Sequence, residues 1–355
     1  MNAHSPLSAI SVRMADLRDA RDREAISGLV AEHPDAAVFH TLDWVEAIQD
    51  GTGQRALGIV AEQRRAVVGW LPLSEVHSPL FGRALASTGF AVGGGALAEQ
   101  DAVALQLAES AQELALRRSC VAVELRGGPI PWHWQAKKGS HSGFARALAD
   151  DDEAELLAIP RKQRAEVRKG LANDLVVETG NGARDREAHY AVYAESVRNL
   201  GTPVFPRSLF DSVLDRFGDN ADILTVRSEG APVASVLSLY HRGAVLPYWG
   251  GGTWAARHLR ANDRMYYELM LHARAKGCQY FDFGRSKTGS GPYNFKRNWG
   301  FEPAALAYGV WNAPGAPLRD TDPTSTSNAR RVELWKRLPL PVANRLGPLI
   351  ARGLG

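Results

Sequence analysis

Residues 281–303, FDFGRSKTGSGPYNFKRNWGFEP, form the most informative stretch of the chain. A short apolar strand ends in Asp and Gly, a loop with three glycines and two cations follows, and an aromatic and basic segment then runs into another strand. Glycines at this density let backbone N–H groups approach an anionic ligand, and Arg285 and Lys287 would add positive charge. The residues alone fit a phosphate-bearing substrate or a flexible surface loop with solvated cations.

This stretch completes a series of elements that occurs twice, in which strand hairpins precede a helix and a short buried strand. Apolar side chains at helical spacing predict the helices, and short apolar runs predict the strands. The helix and strand together span residues 101–125 in the first copy and 262–283 in the second. Residues 126–143, rich in Gly, Pro and polar side chains, predict a loop near the end of the first half. The repeated order indicates a duplicated α/β unit, with domains over residues 1–150 and 151–312.

Composition excludes several classes of protein. The 355 residues are 45% apolar and 23% charged, as in globular proteins, and the net charge of +3 is too small for a general polyanion coat. Cys120 and Cys278 stand alone without metal-ligand spacing, which predicts buried thiols and no zinc site. The first residues carry no signal-like apolar segment and no run is long enough to span a bilayer, so we expect a cytoplasmic protein.

The end of the chain changes character after residue 312. Residues 313–328 are rich in Pro, Gly, Ser, Thr and Asp and read as a linker. Residues 329–355 form a basic amphipathic tail with Trp335 and several leucines. Such a tail docks on its own protein, binds a partner, or makes peripheral contact with the inner membrane through residues 330–355.

Nucleotide-binding motifs are missing from the sequence. The GxxxxGK[ST] spacing of a P-loop does not occur, and no GxGxxG opens a helix after a first strand, so an NTPase or a dinucleotide oxidoreductase has little support. His241, His258 and His272 lie in the second half without a motif around them, and we do not nominate them as catalytic.

Several motifs resemble one family of enzymes. Phe281-Asp-Phe-Gly284, the glycine-bearing loop, Phe295-Lys296 and Trp299-Gly-Phe301 resemble the C-terminal signature of the FemAB/FemX peptidyltransferases and the related BioF2-like acetyltransferase domains of the GNAT superfamily. HTLDW at residues 40–44, LPLSEVHSPLFGR at 71–83 and WKRLPLPVANRLGPLI at 335–350 are similar to FemAB-like proteins associated with exosortase (PEP-CTERM) systems. The resemblance covers most of the chain.

The resemblance implies a fold and a reaction. It implies two tandem GNAT-like domains, each a mixed sheet flanked by helices, with the active cleft in or beside the second. The reaction would move an acyl group from aminoacyl-tRNA or acyl-coenzyme A to an amine on a small-molecule or lipid-linked acceptor related to the cell envelope or an exopolysaccharide. No permanently bound cofactor or metal is implied, and tRNA is a possible partner. A non-catalytic GNAT-like scaffold is the alternative.

The resemblance also implies roles for single residues. Lys296 is the candidate catalytic residue, because the family's lysine contacts the donor and can stabilise negative charge at the reacting carbonyl; a phosphate-binding or surface lysine is the alternative. Asp282 ends a buried strand, and we favour a structural pair with Arg285 over a general base. The donor-binding candidates are Gly284, Arg285, Lys287, Gly289, Gly291, Tyr293, Phe295, Tyr248, Trp249 and Asn262.

Two further segments are candidate anion sites. Tyr248 and Trp249 precede a helix at whose N-terminus GNAT proteins bind the donor's phosphates, although the Q/RxxGxG/A pattern is absent, which puts coenzyme A in doubt. A turn with two aromatic core residues is the alternative. A basic helix could meet a diphosphate or tRNA, or present an ordinary solvated face. Its candidate residues are Arg161, Arg164, Arg168 and Lys169.

Overall fold

The computed structural model describes residues 10–79, 81–316, 319 and 328–353. Two compact units divide the chain. The first contains Met1–Lys138, Ala307–Thr321 and Arg352–Gly355, and the second contains Gly139–Leu306 and Asp322–Ala351. Most of the predicted linker over residues 313–328 lies outside the described residues.

The first unit is a mixed sheet with helices packed on it. Its sheet has the order β1-β2-β3-β4-β6-β13, in which β4 and β6 are parallel and the other neighbours antiparallel, and β5 pairs with β3. The elements are β1 Ser11–Met14, α1 Ala20–Glu32, α2 Leu42–Thr52, β2 Arg55–Gln63, β3 Ala66–Ser78, β4 Gly82–Ser87, β5 Leu97–Ala98, α3 Asp101–Arg117, β6 Ala122–Arg126 and the end of β13 Pro303–Asn312.

The second unit repeats this plan. Its strands follow the order β7-β12-β11-β10-β9-β8, and only β11 and β12 are parallel. The elements are β7 Gln135–Ala147, α4 Asp152–Ala158, α5 Arg161–Ala172, β8 Val176–Gly180, α6 Ala183–Leu200, α7 Arg207–Phe217, β9 Ala221–Ser228, β10 Ala231–His241, β11 Ala244–Gly252, α8 Ala256–Leu259, α9 Ala261–Ala275, β12 Tyr280–Lys287, α10 Gly291–Asn298, α11 Ala329–Lys336 and α12 Leu340–Ala351.

Local sequence signals explain where several elements begin and end. The Thr41 hydroxyl accepts the Trp44 N–H at 3.2 Å, which confirms the predicted N-cap of α2. Gly277, with φ +87°, follows α9 as the predicted glycine terminator. The β2–β3 turn lacks Asn-Gly, and Arg64 and Arg65 adopt positive φ instead.

The helices α6 and α9 cover opposite faces of the second unit's sheet. A Cβ added at Gly250 would meet Val236 and the Tyr266 hydroxyl of α9, whereas one added at Gly251 would meet Ser196 of α6. Because successive strand residues point to opposite faces, the two helices lie on different sides of β11. The core beneath α9 and α10 is rich in aromatic rings, including Phe281, Phe283, Trp299 and Phe301.

Among the described residues, no helix has both the length and the apolar character needed to cross a bilayer.

Candidate active site

The parallel strands β11 and β12 pair only at their beginnings. Ala244 is opposite Tyr280 and Val245 is opposite Phe281; beyond these pairs both strands continue through fully described residues without a register between them. The carboxyl ends of adjacent parallel strands, where backbone groups become free of the ladder, are common ligand sites in α/β folds. The opening between β11 and β12 is therefore the candidate active site.

Lys296, on α10, contacts the part of β12 that follows its pairing with β11. Its ammonium donates hydrogen bonds to the carbonyl oxygens of Phe283 at 2.5 Å and Arg285 at 2.9 Å, both on β12. Burial lowers the pKa of Lys296 to about 8, while the Asp282 charge acts in the opposite direction. The ammonium also lies 5.5 Å from the centroid of the Phe144 ring. A cation is thus fixed against the part of β12 that has left β11.

Asp282 is a half-buried residue whose charge acts on this cation. Its carboxylate accepts the Gly284 N–H at 2.8 Å. Burial raises the pKa of Asp282, and the backbone hydrogen bond and the Lys296 charge offset part of that rise. Asp282 thus contacts the β12 backbone at Gly284, and both its structural role and its pairing with Arg285 stay predictions.

The glycine-rich segment differs from the loop expected after Phe283. β12 continues to Lys287, so the prediction that the strand ends at Gly284 is wrong. Gly284 has φ +66° and lies at a register shift between β12 and β7, which identifies a bulge inside the strand. Gly289, with φ +78°, belongs to the short turn before α10, and Gly291 is the first residue of that helix. The first two glycines are thus required by backbone conformation.

Tyr293 and Phe295 hold α10 on the core. Tyr293 contacts Phe144 edge to face at 5.3 Å, and Phe295 lies between Tyr266 and Trp299 at 5.8 and 6.1 Å. Both rings are partly buried. They support the position of Lys296 on the same helix.

Tyr248 and Trp249, two adjacent aromatic residues near the end of β11, differ in burial. Trp249 is buried against Phe210, with ring centroids 5.1 Å apart, which favours the core alternative for this residue. Tyr248 is half-buried and contacts Trp249 edge to face at 4.8 Å. A donor contact for either ring stays a prediction.

Asn262 is a candidate donor-binding residue with an unsatisfied polar atom. It lies in the first turn of α9, and its buried Oδ1 has no hydrogen-bond partner. A Cβ added at Gly252 would lie 2.5 Å from this oxygen, so the end of β11 runs directly beside the N-terminus of α9. The first N–H groups of a helix lack intrahelical partners and favour negative charge. This corner is where the structure could receive an anionic part of a donor.

The basic run from residue 161 was predicted to continue a helix that opens at residues 150–153; the structure instead divides this stretch into α4 and α5, with Pro160 before α5. The cations of α5 differ in availability. Arg161 and Arg168 are exposed. Arg164 donates to the Leu157 carbonyl at 3.2 Å, and Lys169 pairs with Glu166 at 2.7 Å. A polyanion would therefore meet Arg161 and Arg168 first.

Comparisons with known proteins identify the fold. Residues 160–297, less than half of the chain, match the sequence model of the acetyltransferase (GNAT) domain. A search of curated proteins gave no match. The crystal structure of FemX superposes with a TM-score of 0.64 at 14% identity, covering 92% of this chain and 100% of that chain. A tandem GNAT protein from the clavulanic acid biosynthesis pathway gives a TM-score of 0.56 at 11% identity, covering 87% and 100%.

A third similar structure is the C-terminal domain of a protein described as a lysylphosphatidylglycerol synthetase from Agrobacterium fabrum. Its TM-score is 0.52 at 12% identity, with 83% of this chain and 93% of that chain covered. The chain has the tandem GNAT fold. The predicted fold class is confirmed, and the matched GNAT domain, which contains the β11–β12 opening and Lys296, indicates an acyltransferase.

The first GNAT-like unit closes the equivalent opening. Its parallel pair β4 and β6 stays in register up to Ser87, the last residue of β4. The Arg126 guanidinium at the end of β6 is buried and donates to the carbonyl oxygens of Thr88 at 2.6 Å and Ala91 at 2.9 Å. The candidate active site therefore lies in the second GNAT-like unit.

Sequence reasoning did not consider His189, the most deeply buried of the described histidines. His189 of α6 is fully buried, with Nδ1 3.1 Å from the Ser235 hydroxyl, and its Nε2 has no partner. Desolvation lowers the pKa of His189 to about 3, so the ring is neutral. Its position among apolar residues at helical spacing was the available signal. His272, by contrast, is satisfied: its Nε2 lies 2.8 Å from Asp222.

The two cysteines are free thiols. Cys120 and Cys278 are buried and unpaired with each other, and burial raises the pKa of Cys120 to about 11. A thiol with this pKa is a poor nucleophile near neutral pH. Within the described part of the chain, no cluster of three or more His, Cys, Asp or Glu side chains could hold a metal ion.

Proposed function

We propose that the protein is an acyl- or aminoacyltransferase that moves an activated acyl group from aminoacyl-tRNA or acyl-coenzyme A to an amine. The acceptor would be a cell-envelope or exopolysaccharide-related molecule, as the resemblance to FemAB-like proteins implies. The observation that supports the proposal is the Lys296 ammonium, fixed within the matched GNAT domain on the part of β12 that is no longer paired with β11.

The reaction requires the protein mainly to position the two substrates and to stabilise the charge that develops. The acceptor nitrogen attacks the donor carbonyl carbon, a C–N bond forms, and the bond to the ribose oxygen or the coenzyme A sulfur breaks. One proton leaves the amine, and the leaving oxygen or sulfur takes up a proton. Negative charge develops on the carbonyl oxygen during attack, so a fixed donor nearby lowers the barrier.

Lys296 suits this task because of its hydrogen-bond count. An ammonium has three N–H donors, and the carbonyl oxygens of Phe283 and Arg285 accept two of them. The third is the donor that we assign to the carbonyl oxygen of the bound acyl group. Loss of one such donor lowers kcat by about 100- to 1000-fold in other acyl-transfer enzymes.

The decisive experiment offers both donors in parallel. Purified protein is incubated with labelled aminoacyl-tRNA and with acyl-coenzyme A, each with amine acceptors, and release of free tRNA or thiol is followed. We expect one donor to be consumed, and we expect Lys296→Ala to slow turnover by at least about 100-fold. Arg297→Ala, which removes an exposed cation one residue away, is the matched control.

The pH profile separates a charged role from a structural one. Because the pKa of Lys296 is lowered to about 8, turnover that needs the ammonium should fall as the pH rises above 8. Lys296→Arg, which stays protonated, should retain activity to higher pH. Tight binding of a donor without consumption under any acceptor would favour the non-catalytic scaffold, and full activity in Lys296→Ala would remove Lys296 from the mechanism.

A further inference from the structure

The C-terminal helices α11 and α12 pack on the second unit through small residues. A Cβ added at Gly201 would lie 2.5 Å from the Val332 side chain of α11. The Arg198 guanidinium donates to the Lys336 carbonyl at 3.2 Å. Gly347 of α12 lies so close to Val204 that an added Cβ would be 2.9 Å from the Val204 backbone nitrogen. The tail is therefore part of the folded unit.

The larger apolar residues of α12 point away from that contact. Its buried residues, Ala343, Gly347 and Ala351, are four residues apart and form one stripe. At 100° per residue, the side chains at positions 342, 346 and 349 lie roughly 130° around the axis from that stripe. They are exposed: Val342 by 42%, Leu346 by 41% and Leu349 by 67%. The helix thus buries its small residues and presents its large apolar ones to solvent.

The same segment is strongly basic. Residues 329–351 contain five basic residues and one acidic residue. Arg330, Arg331, Arg337 and Arg345 are exposed, and Leu334 on α11 is 66% exposed among them. Lys336 pairs with Glu333, the single acidic residue. Exposed leucines together with exposed arginines match a surface that is negatively charged outside and apolar just beneath, which describes an anionic lipid leaflet.

We propose that α11 and α12 form a lipid-docking surface, defined by Leu334, Val342, Leu346 and Leu349 with the arginines around them, that binds anionic membranes. α12 has 12 residues, about 18 Å of helix, which is shorter than a bilayer core, so it lies along the leaflet. The apolar side chains enter the acyl boundary while the guanidinium groups stay at the headgroups. Binding of this kind is reversible and weakens with salt.

Vesicle co-sedimentation of the full chain tests this surface. The probes are vesicles of phosphatidylcholine alone and of phosphatidylcholine mixed with phosphatidylglycerol. We expect sedimentation only with the anionic vesicles, and a marked loss at high salt. The double variant Leu346→Ser/Leu349→Ser should bind about tenfold more weakly for each leucine removed. Arg330→Gln/Arg345→Gln should lose about fivefold for each charge.

Matched controls come from elsewhere on the chain. Leu157→Ser removes a leucine of α4 that is 54% exposed, and Arg117→Gln removes an exposed arginine of α3. Both should bind vesicles like the unmodified chain, and thermal unfolding verifies that every variant is folded. Equal binding by the double leucine variant and the unmodified chain would overturn the proposal, as would absence of binding to both vesicle types. So would a dimer in solution that Leu346→Ser/Leu349→Ser dissociates, because a second copy would then cover the surface.

Discussion

Replacement of Lys296 by methionine should change how the stability of the protein depends on pH. Burial lowers the pKa of this lysine from 10.5 to about 8. Between these two values the unfolded chain holds a proton that the folded chain has released. The free energy of unfolding therefore rises with pH across this window, and the destabilisation caused by the buried charge is fully present below pH 8.

The size of the effect follows from the pKa difference. One pKa unit corresponds to about 1.4 kcal/mol, so the shift of Lys296 corresponds to about 3 kcal/mol between the ends of the window. Methionine cannot titrate, but it also leaves the Phe283 and Arg285 carbonyl oxygens without their donor, at roughly 1 to 3 kcal/mol each. That second loss is nearly independent of pH, so the pH dependence isolates the charge.

Urea denaturation of the unmodified chain and of Lys296→Met, repeated across this pH range, measures the difference. The stability of the unmodified chain relative to the variant should increase by about 3 kcal/mol from below pH 8 to above pH 10.5. Arg297→Met removes an exposed cation from the same helix, and its effect should be constant with pH because an arginine stays protonated. A Lys296→Met difference that is equally constant would mean that the ammonium is solvated, and the site described above would be refuted.

Three further predictions concern other parts of the fold. Gly95→Ala should lower the free energy of unfolding of the first unit by about 3 kcal/mol, because the new Cβ would lie 2.0 Å from a backbone carbonyl oxygen. Gly28→Ala, in an open position of α1, should instead raise the free energy of unfolding by about 0.5–1 kcal/mol in the same thermal melts. His189→Asn should flatten the loss of stability on acidification from pH 6.5 to about 3, the window in which only the unfolded chain protonates this ring; an unchanged acid limb would contradict its burial. If α5 binds tRNA, Arg161→Gln/Arg168→Gln should reduce the slope of log affinity against log salt by about 1 for each residue, and an unchanged slope would exclude that face.

Local sequence patterns were sufficient to predict the amphipathic helices. The helical spacing after Asp101 and after Asn262 predicted the first residue of α3 and the first residue of α9 to within one residue, because burial of one face fixes both the pattern and the element. Lys296 could be nominated because its neighbours form a recognisable motif. Its partners could not, since they are backbone carbonyl groups whose position depends on how β12 leaves β11.

The strand β7 shows what the sequence could not reveal. Residues 137–143 are polar and glycine-bearing and were predicted to be a loop, which is wrong: they form part of β7. Ser142 pairs with Ser286 and His141 with Lys287, so the strand is defined by a partner more than 140 residues away. Pairing of this range leaves no local pattern. The bulge at Gly284 also depends on this long-range pairing, because it lies at the register shift between β12 and β7.

The difference between the two units explains why one fold, used twice, yields one candidate site. Both units place a parallel strand pair at the same point of the sheet, and in both a cation donates hydrogen bonds to backbone carbonyl oxygens near that pair. In the first unit β4 and β6 remain paired to their ends, and Arg126 uses its hydrogen bonds on the loop that follows β4. A ligand would have to displace a buried guanidinium from two carbonyl oxygens to enter there. In the second unit the pairing of β11 and β12 stops after two residues, and the two Lys296 hydrogen bonds both go to β12 carbonyl oxygens, so they fix β12 without joining it to β11.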